Sequence, residues 1–250
     1  MLNRFFTLVL AIALCSAAQA EQTLRLMANT SPPYADSKLP EQGLALELVK
    51  YIFARTPYRA DIGIESWSRS LEGAQIGVYN GLAAVWYSPE REQDLLFSEP
   101  YLSSDLVILK RRTDQRRYTR LDDIAGSRLG VRADYAYGID FSQVPDLQLV
   151  QENHLIQNLL RLQNGSVDVV IGDRRTVNQQ LHEFLKDRIT DFSVTAIELP
   201  RVSRHVAVSR SVANAEQVIS AFNAALAQAR EDGSHKAIVR KWDERYRGLN

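Results

Sequence analysis

The hydrophobic pattern of this chain alternates between strand-like and helix-like runs, and that alternation limits the folds open to it. Residues 23–27 alternate apolar and polar side chains with period two, which is typical of a β-strand. Leu44, Leu48 and Ile52 then recur at helical spacing, and residues 82–86 return to a strand-like apolar run. Because strands and helices follow one another in this order, the sequence predicts an α/β architecture with mostly parallel sheet.

The alternation breaks once and then restarts. Residues 111–120 are polar and rich in arginine, after which a strand-like run at 128–131 is followed by a helical run at 153–162. A long amphipathic helical pattern covers residues 212–230. The pattern indicates two α/β units that meet at this break, and it leaves open which unit the tail from about residue 205 joins.

The N-terminus has the pattern of a secretory signal peptide. A short start containing Arg4 precedes a largely apolar stretch of ten residues, 5–14, and the tripeptide Ala-Gln-Ala ends at Ala20. Ten residues are too few to span a bilayer as a helix. We therefore expect cleavage after Ala20 and a periplasmic mature protein. The single cysteine, Cys15, lies inside this peptide, and the bulky Leu14 before it disfavours a lipid anchor there.

Charge and motifs exclude several function classes. Lys and Arg number 30 and Asp and Glu number 30, so nothing in the charge favours a nucleic-acid partner. The sequence contains no metalloprotease, nucleophile-elbow, phosphate-loop or dinucleotide motif. The four histidines are scattered without metal-ligand spacing: His154, His182, His205 and His235. We expect no enzyme activity, no cofactor and no metal, with a periplasmic lyase or dehydratase as the alternative.

Six segments occur in a fixed order along residues 21–246. They are Trp67-Ser-Arg-Ser-Leu71, Ser88-Pro-Glu-Arg91, Phe97-Ser-Glu-Pro-Tyr101, Leu121-Asp-Asp-Ile-Ala-Gly126, Asn164-Gly-Ser-Val-Asp-Val-Val-Ile-Gly-Asp173 and Lys241-Trp242. This order resembles the family 3 solute-binding proteins of polar amino-acid ABC transporters. The Ser-Pro-Glu-Arg and Phe-Ser-x-Pro-Tyr segments together are the specific part of the likeness.

The resemblance implies a periplasmic binding protein-like fold of two α/β lobes. Lobe 1 would comprise residues 21–110 plus 205–250 and lobe 2 residues 111–204, with two hinge strands near 105–110 and 204–209. The lobes would close by rigid-body motion on a small polar solute, an amino acid or related amine. The implied role is delivery to a membrane permease by a monomer; the alternative is a ligand sensor that signals to a membrane sensor protein.

The resemblance also suggests site residues. Arg91 stands where the family's carboxylate-binding arginine stands, and Asp173 matches the ammonium-binding aspartate. A guanidinium pairs with a carboxylate through two charge-assisted hydrogen bonds, which suits this role. Tyr34 and Trp67 match aromatic positions that cover the ligand. The structural alternatives are a salt-bridged surface arginine, a helix N-cap at Asp173 and ordinary packing for the two aromatics.

The chain departs from the family pattern at several ligand positions. Small hydroxyl residues are common in the family where Ala83, Ala84 and Trp86 stand, so an indole would fill part of the site while backbone N–H groups at 84–86 remain as donors. Asp134-Tyr135 replaces a Gly-Thr or Gly-Ser pair, and an aspartate repels an anion unless it turns away. Three possibilities follow: an unusual amino acid, another amine or small polar solute, or a shift to signalling.

Overall fold

The computed structural model describes residues 22–246, so the expected signal peptide and Cys15 lie outside the described residues. In this part of the chain the strands are β1 Gln22–Asn29, β2 Tyr58–Glu65, β3 Gly81–Trp86, β4 Leu95–Phe97, β5 Leu102–Ser104, β6 Leu106–Arg111, β7 Arg128–Arg132, β8 Gln148–Glu152, β9 Val169–Asp173, β10 Phe192–Val194 and β11 Val202–Ser209. The α-helices are α1 Leu44–Phe53, α2 Trp67–Gln75, α3 Pro89–Glu92, α4 Leu155–Asn164, α5 Arg174–Phe184, α6 Ala215–Glu231 and α7 Ser234–Arg245.

The strands form two sheets. The first has the order β2-β1-β3-β11-β4, with β5 also paired to β11. The second has the order β10-β6-β9-β7-β8. This arrangement of helices and strands around two separate sheets agrees with the predicted two-lobe α/β fold.

The expectation of mostly parallel sheet is wrong, because both sheets are mixed. Strands β1, β2 and β3 are parallel to one another, as are β7, β8 and β9. β11 instead runs antiparallel to β3, β4 and β5, and β6 runs antiparallel to β9 and β10. The antiparallel strands are those at which the chain enters or leaves a sheet directly, without a helical crossover.

The chain passes between the two sheets twice. β5 ends at Ser104 in the first sheet and β6 begins at Leu106 in the second, so the outward crossing is at Asp105. The return crossing covers residues 195–201, between β10 and β11. Arg201 Nε lies 3.1 Å from Asp105 Oδ1, so an ion pair joins the two crossings.

Each sheet has its own apolar core. Helices α1, α6 and α7 pack on the first sheet, where the rings of Phe53 and Phe222 lie 5.0 Å apart and Trp242 is buried. Helices α4 and α5 bury leucines such as Leu159 and Leu181 against the second sheet. None of the helices within residues 22–246 is both long and apolar enough to cross a membrane.

Candidate ligand-binding cleft

Arg91 reaches from helix α3 across the gap between the two sheets. Its Nη1 donates a hydrogen bond to the carbonyl oxygen of Trp86 at 2.7 Å, and its Nη2 donates to that of Asp134 at 2.9 Å. The guanidinium also lies 4.7 Å from the ring centroid of Trp67. Arg91 forms no ion pair within 4.0 Å among the described residues, and burial lowers its pKa. It is therefore not the salt-bridged surface arginine of the structural alternative.

Asp173 faces the cleft from the other sheet, at the end of β9 and the start of α5. Its Oδ1 accepts hydrogen bonds from the Thr176 backbone N–H at 3.1 Å and from the Tyr34 hydroxyl at 2.8 Å. The first bond is a helix N-cap, so the capping interpretation is correct. Its second oxygen, Oδ2, is buried without a partner among the described residues. One oxygen thus caps the helix and the other is left for a further donor.

Tyr34 is fully buried, and its hydroxyl joins the two halves of the molecule through the bond to Asp173. Its backbone is fixed, because Tyr34 N–H donates to Ser31 and the Tyr34 carbonyl oxygen accepts from Ala45. Burial, followed by the nearby Asp173 carboxylate, raises the pKa of the Tyr34 hydroxyl well above its usual range. The hydroxyl therefore stays protonated and acts as a hydrogen-bond donor.

Trp86 fills the middle of the cleft from the end of β3. Its ring packs edge-on against Tyr135 at 4.8 Å and against Tyr137 at 5.9 Å, both on the opposite lobe. The side chain is buried, and its Nε1 has no hydrogen-bond partner among the described residues. The indole thus occupies part of the space that the family resemblance assigned to small hydroxyl residues, and its N–H donor is left without a partner among the described residues.

Sequence reasoning missed Arg204, which lies beside Trp86 on the neighbouring strand β11. The two residues are cross-strand neighbours in the β3–β11 pairing, which brings their side chains together. Arg204 is 3% exposed, and its guanidinium carbon lies 3.6 Å from the ring centroid of Tyr34 and 5.4 Å from that of Trp86. The available signal was a charged residue close before the apolar run 206–208 of this strand.

Two adjoining cavities lie between the lobes, each with about 270 Å³ of empty space that includes the solvent at its open side. The first is lined by Asn29, Trp67, Ala84, Trp86, Arg91, Asp134, Tyr135, Ala136 and Arg204. The second is lined by Trp86, Arg132, Tyr135, Tyr137, Leu155, Ile171, Gly172, Asp173, Thr176 and Arg204. Trp86, Tyr135 and Arg204 border both. The sequence-predicted residues therefore converge on these cavities, except Tyr34, which lies behind Arg204.

The sequence predicts that the Asp134 carboxylate repels an anionic ligand group unless it turns away from the cleft. The residue is exposed and has a positive φ of 58°, and its backbone carbonyl oxygen, not its carboxylate, contacts Arg91. No ion pair within 4.0 Å joins the Asp134 carboxylate to a described cation. Asp134 thus contributes a main-chain link between the lobes at this point.

Comparison with known proteins agrees with this architecture. The chain is 26% identical to the putative ABC transporter arginine-binding protein 2 of Escherichia coli K12, over 90% of this chain and 93% of that protein. It is 24% identical to the L-cystine-binding protein TcyJ of the same strain, over 86% of this chain and 79% of that protein.

Solved structures share the fold. An ancestral arginine-binding protein bound to arginine superposes with a TM-score of 0.75 at 18% identity, covering 89% of this chain and 99% of that one. A histidine kinase sensor domain with similarity to periplasmic binding proteins has a TM-score of 0.72 at 20% identity, covering 89% and 96%. At these identities the likeness concerns the fold alone.

The family model matches nearly all of the described chain, from residue 25 to residue 244. It spans both sheets, both crossings and every residue that lines the cleft. The chain therefore belongs to the bacterial extracellular solute-binding proteins, family 3.

Proposed function

We propose that this protein captures an amino acid, or a closely related small amine, between its two lobes and delivers it to an ABC permease. The observation that carries the proposal is the pair of unlike charges facing the cleft, Arg91 from one lobe and Asp173 from the other. Neither side chain has an ion-pair partner within 4.0 Å among the described residues. A zwitterion supplies the missing partner for each.

The physical reason lies in desolvation. Closing the cleft removes water from the ligand's carboxylate and ammonium groups, and this is costly unless each charge meets a partner of opposite sign. Arg91 retains N–H donors beyond the two that bind carbonyl oxygens, so it can also donate hydrogen bonds to a ligand carboxylate. Asp173 Oδ2 can accept a hydrogen bond from an ammonium group. Trp67, Ala84, Trp86 and Tyr135 then provide the apolar and aromatic walls.

The transport role rests on the relatives. Two from Escherichia coli carry the names putative ABC transporter arginine-binding protein 2 and L-cystine-binding protein TcyJ. The two crossings move the expected lobe boundaries of 110 and 205, because β6 Leu106–Arg111 lies in the second sheet and β11 Val202–Ser209 lies in the first. We therefore assign residues 22–104 and 202–246 to lobe 1 and residues 106–194 to lobe 2, in a monomer secreted to the periplasm after cleavage behind Ala20. Since the family is one of solute-binding proteins, no catalytic step is assigned.

Isothermal titration calorimetry with a panel of the common amino acids and small amines tests the proposal. We expect one ligand to bind at a one-to-one ratio with roughly micromolar affinity. Arg91→Ala and Asp173→Asn should each weaken binding at least tenfold, because each leaves a desolvated ligand charge without its partner. Arg69→Ala, which alters an exposed arginine on α2, is the matched control. If both site variants bind as the control does, the proposal is wrong.

A sensory role is the second candidate, favoured by the altered cleft around Trp86 and by the sensor-domain fold match. In that case the closed form contacts a membrane sensor protein instead of a permease. Uptake of radiolabelled ligand by native cells with and without the gene separates the two. Transport predicts that uptake falls on deletion, whereas sensing predicts unchanged uptake and a lost transcriptional response to the ligand.

A further inference from the structure

Arg204 is a buried cation without an anionic partner. It is 3% exposed, no carboxylate of residues 22–246 lies within 4.0 Å of it, and its Nε has no hydrogen-bond partner among them. Its planar faces instead contact the rings of Tyr34 and Trp86. Stacking on aromatic rings offsets part of the cost of burying a guanidinium, but the Nε–H donor remains without a partner among the described residues. Such a group is matched by an anion that enters from outside the chain.

Three residues that line the same cavity each have a buried polar atom without a partner among the described residues. Two are donors, Arg204 Nε and Trp86 Nε1, and one is an acceptor, Asp173 Oδ2. They come from both lobes, so their convergence depends on the lobes lying together. Buried polar groups in native proteins are almost always hydrogen-bonded. A ligand that carries an acceptor group and a donor group satisfies all three atoms together.

The charges on the cavity walls are unequal. The cavity that contains Asp173 is lined by two guanidiniums, those of Arg132 and Arg204, against that one carboxylate. Arg132 donates to the carbonyl oxygen of Asn153 and to the Tyr135 hydroxyl, and it forms no ion pair within 4.0 Å among the described residues. A neutral amino acid leaves this surplus positive charge in place. A lysine or arginine ligand increases it.

We propose, on the basis of the function above, that Arg204 and Trp86 Nε1 form a second anion subsite. The ligand class is then an amino acid with a second acid group, of the aspartate and glutamate type. One carboxylate binds Arg91, the ammonium binds Asp173, and the second carboxylate binds Arg204 and Trp86. Arg204 therefore determines specificity, and the preference differs from the cationic ligand named for the arginine-binding relatives.

Calorimetry on the full mature chain compares L-glutamate and L-aspartate with L-glutamine, L-asparagine, L-arginine and L-lysine. We expect the acidic ligands to bind roughly 10- to 100-fold more tightly than their amides, as charge-assisted hydrogen bonds allow. Arg204→Met should reduce the glutamate-to-glutamine ratio to near one, and Arg204→Lys should keep part of it. Trp86→Phe, which removes the N–H and keeps a ring, should reduce the ratio several-fold.

Three other binding results would decide between this inference and the proposed function. Arginine or lysine binding more tightly than glutamate to the unmodified protein overturns the inference and leaves the proposed function standing. An unchanged ratio in Arg204→Met also overturns it, and Arg204→Lys, which keeps a buried cation, guards against misfolding as the cause of any loss. If dicarboxylic acids without an amine bind and depend on Arg204, while no amino acid binds, the anion subsite is supported and the amino-acid function fails.

Discussion

Closure of the lobes can be tested away from the ligand through one ion pair. Arg175 on α5 belongs to the half that carries the second sheet, and Asp243 on α7 packs with the first. Arg175 Nε and Nη2 donate to the two carboxylate oxygens of Asp243 at 2.6 and 3.2 Å, and its Nη1 donates to the Ser103 carbonyl oxygen at 3.0 Å. Neither Arg175 nor Asp243 lines the two cavities described above. Asp243 can therefore be substituted without changing a residue that lines these cavities.

The contribution of the Arg175–Asp243 ion pair to closure depends on how exposed the two side chains are. The side chains of Arg175 and Asp243 are 27% and 44% exposed, so water and salt screen much of the attraction. Ion pairs of this kind contribute about 0.2–1 kcal/mol. Asp243→Asn should therefore lower the closed fraction and raise the ligand Kd by a factor of about 1.4 to 5. Asp243→Lys places like charges across the gap, and we expect a larger loss, on the order of tenfold.

The assay combines titration calorimetry with small-angle X-ray scattering of the ligand-free protein. Both variants should show weaker binding and a larger radius of gyration, and added salt should shrink the difference from the unmodified protein. Glu152→Gln is the matched control, because it breaks a 2.5 Å ion pair with Arg161 inside one lobe. An unchanged Kd and radius in Asp243→Lys would refute the role of this contact in closure.

Three further predictions concern stability and closure. Burial lowers the pKa of His205, whose Nδ1–H donates to the Ser98 carbonyl oxygen, so unfolding takes up protons in mildly acidic solution. Stability should fall as pH drops below about 6.5, and thermal melts of His205→Asn should show a weaker pH dependence. Gly81→Ala would place a methyl group 2.0 Å from the Ala207 carbonyl oxygen; we expect a loss of about 2 kcal/mol or more in urea unfolding. Tyr34→Phe removes the interlobe bond to Asp173 and should weaken ligand binding about tenfold without lowering the melting temperature of the open form.

Hydrophobic periodicity predicted the secondary structure well where the pattern was long. The run over 212–230 corresponds to α6 Ala215–Glu231, and the run over 153–162 to α4 Leu155–Asn164. The strands β4 and β5 were not predicted, because three residues are too few to show a hydrophobic periodicity. The direction of the strands was not predicted either. β11 pairs antiparallel with β3, whose residues lie more than one hundred positions earlier in the chain.

The cleft was predicted in part, and Arg204 shows why the rest was missed. The motif order pointed to Arg91 and Asp173, which do face adjoining cavities. Arg204 carries no motif, and its importance comes from three facts absent from the sequence: its register opposite Trp86, its stacking on Tyr34 and the lack of any nearby carboxylate. Asp173 likewise required coordinates, because its two oxygens have separate roles.

The same side chains that face the ligand also hold the lobes together, and this links affinity to closure. Arg91 donates hydrogen bonds to two carbonyl oxygens, one of them on the opposite lobe. Asp173 Oδ1 accepts a hydrogen bond from the Tyr34 hydroxyl, which also joins the lobes. These bonds give some of the polar groups in the cleft a hydrogen-bond partner even without a ligand. Closing the lobes therefore leaves fewer polar groups unpaired. What remains for the ligand is the set that no residue within 22–246 satisfies: Arg204 Nε, Trp86 Nε1 and Asp173 Oδ2. A ligand should therefore be selected by how well it matches these three atoms, and substitutions of Arg204, which forms none of these interlobe bonds, should change the order of ligand preference more than the closed fraction itself.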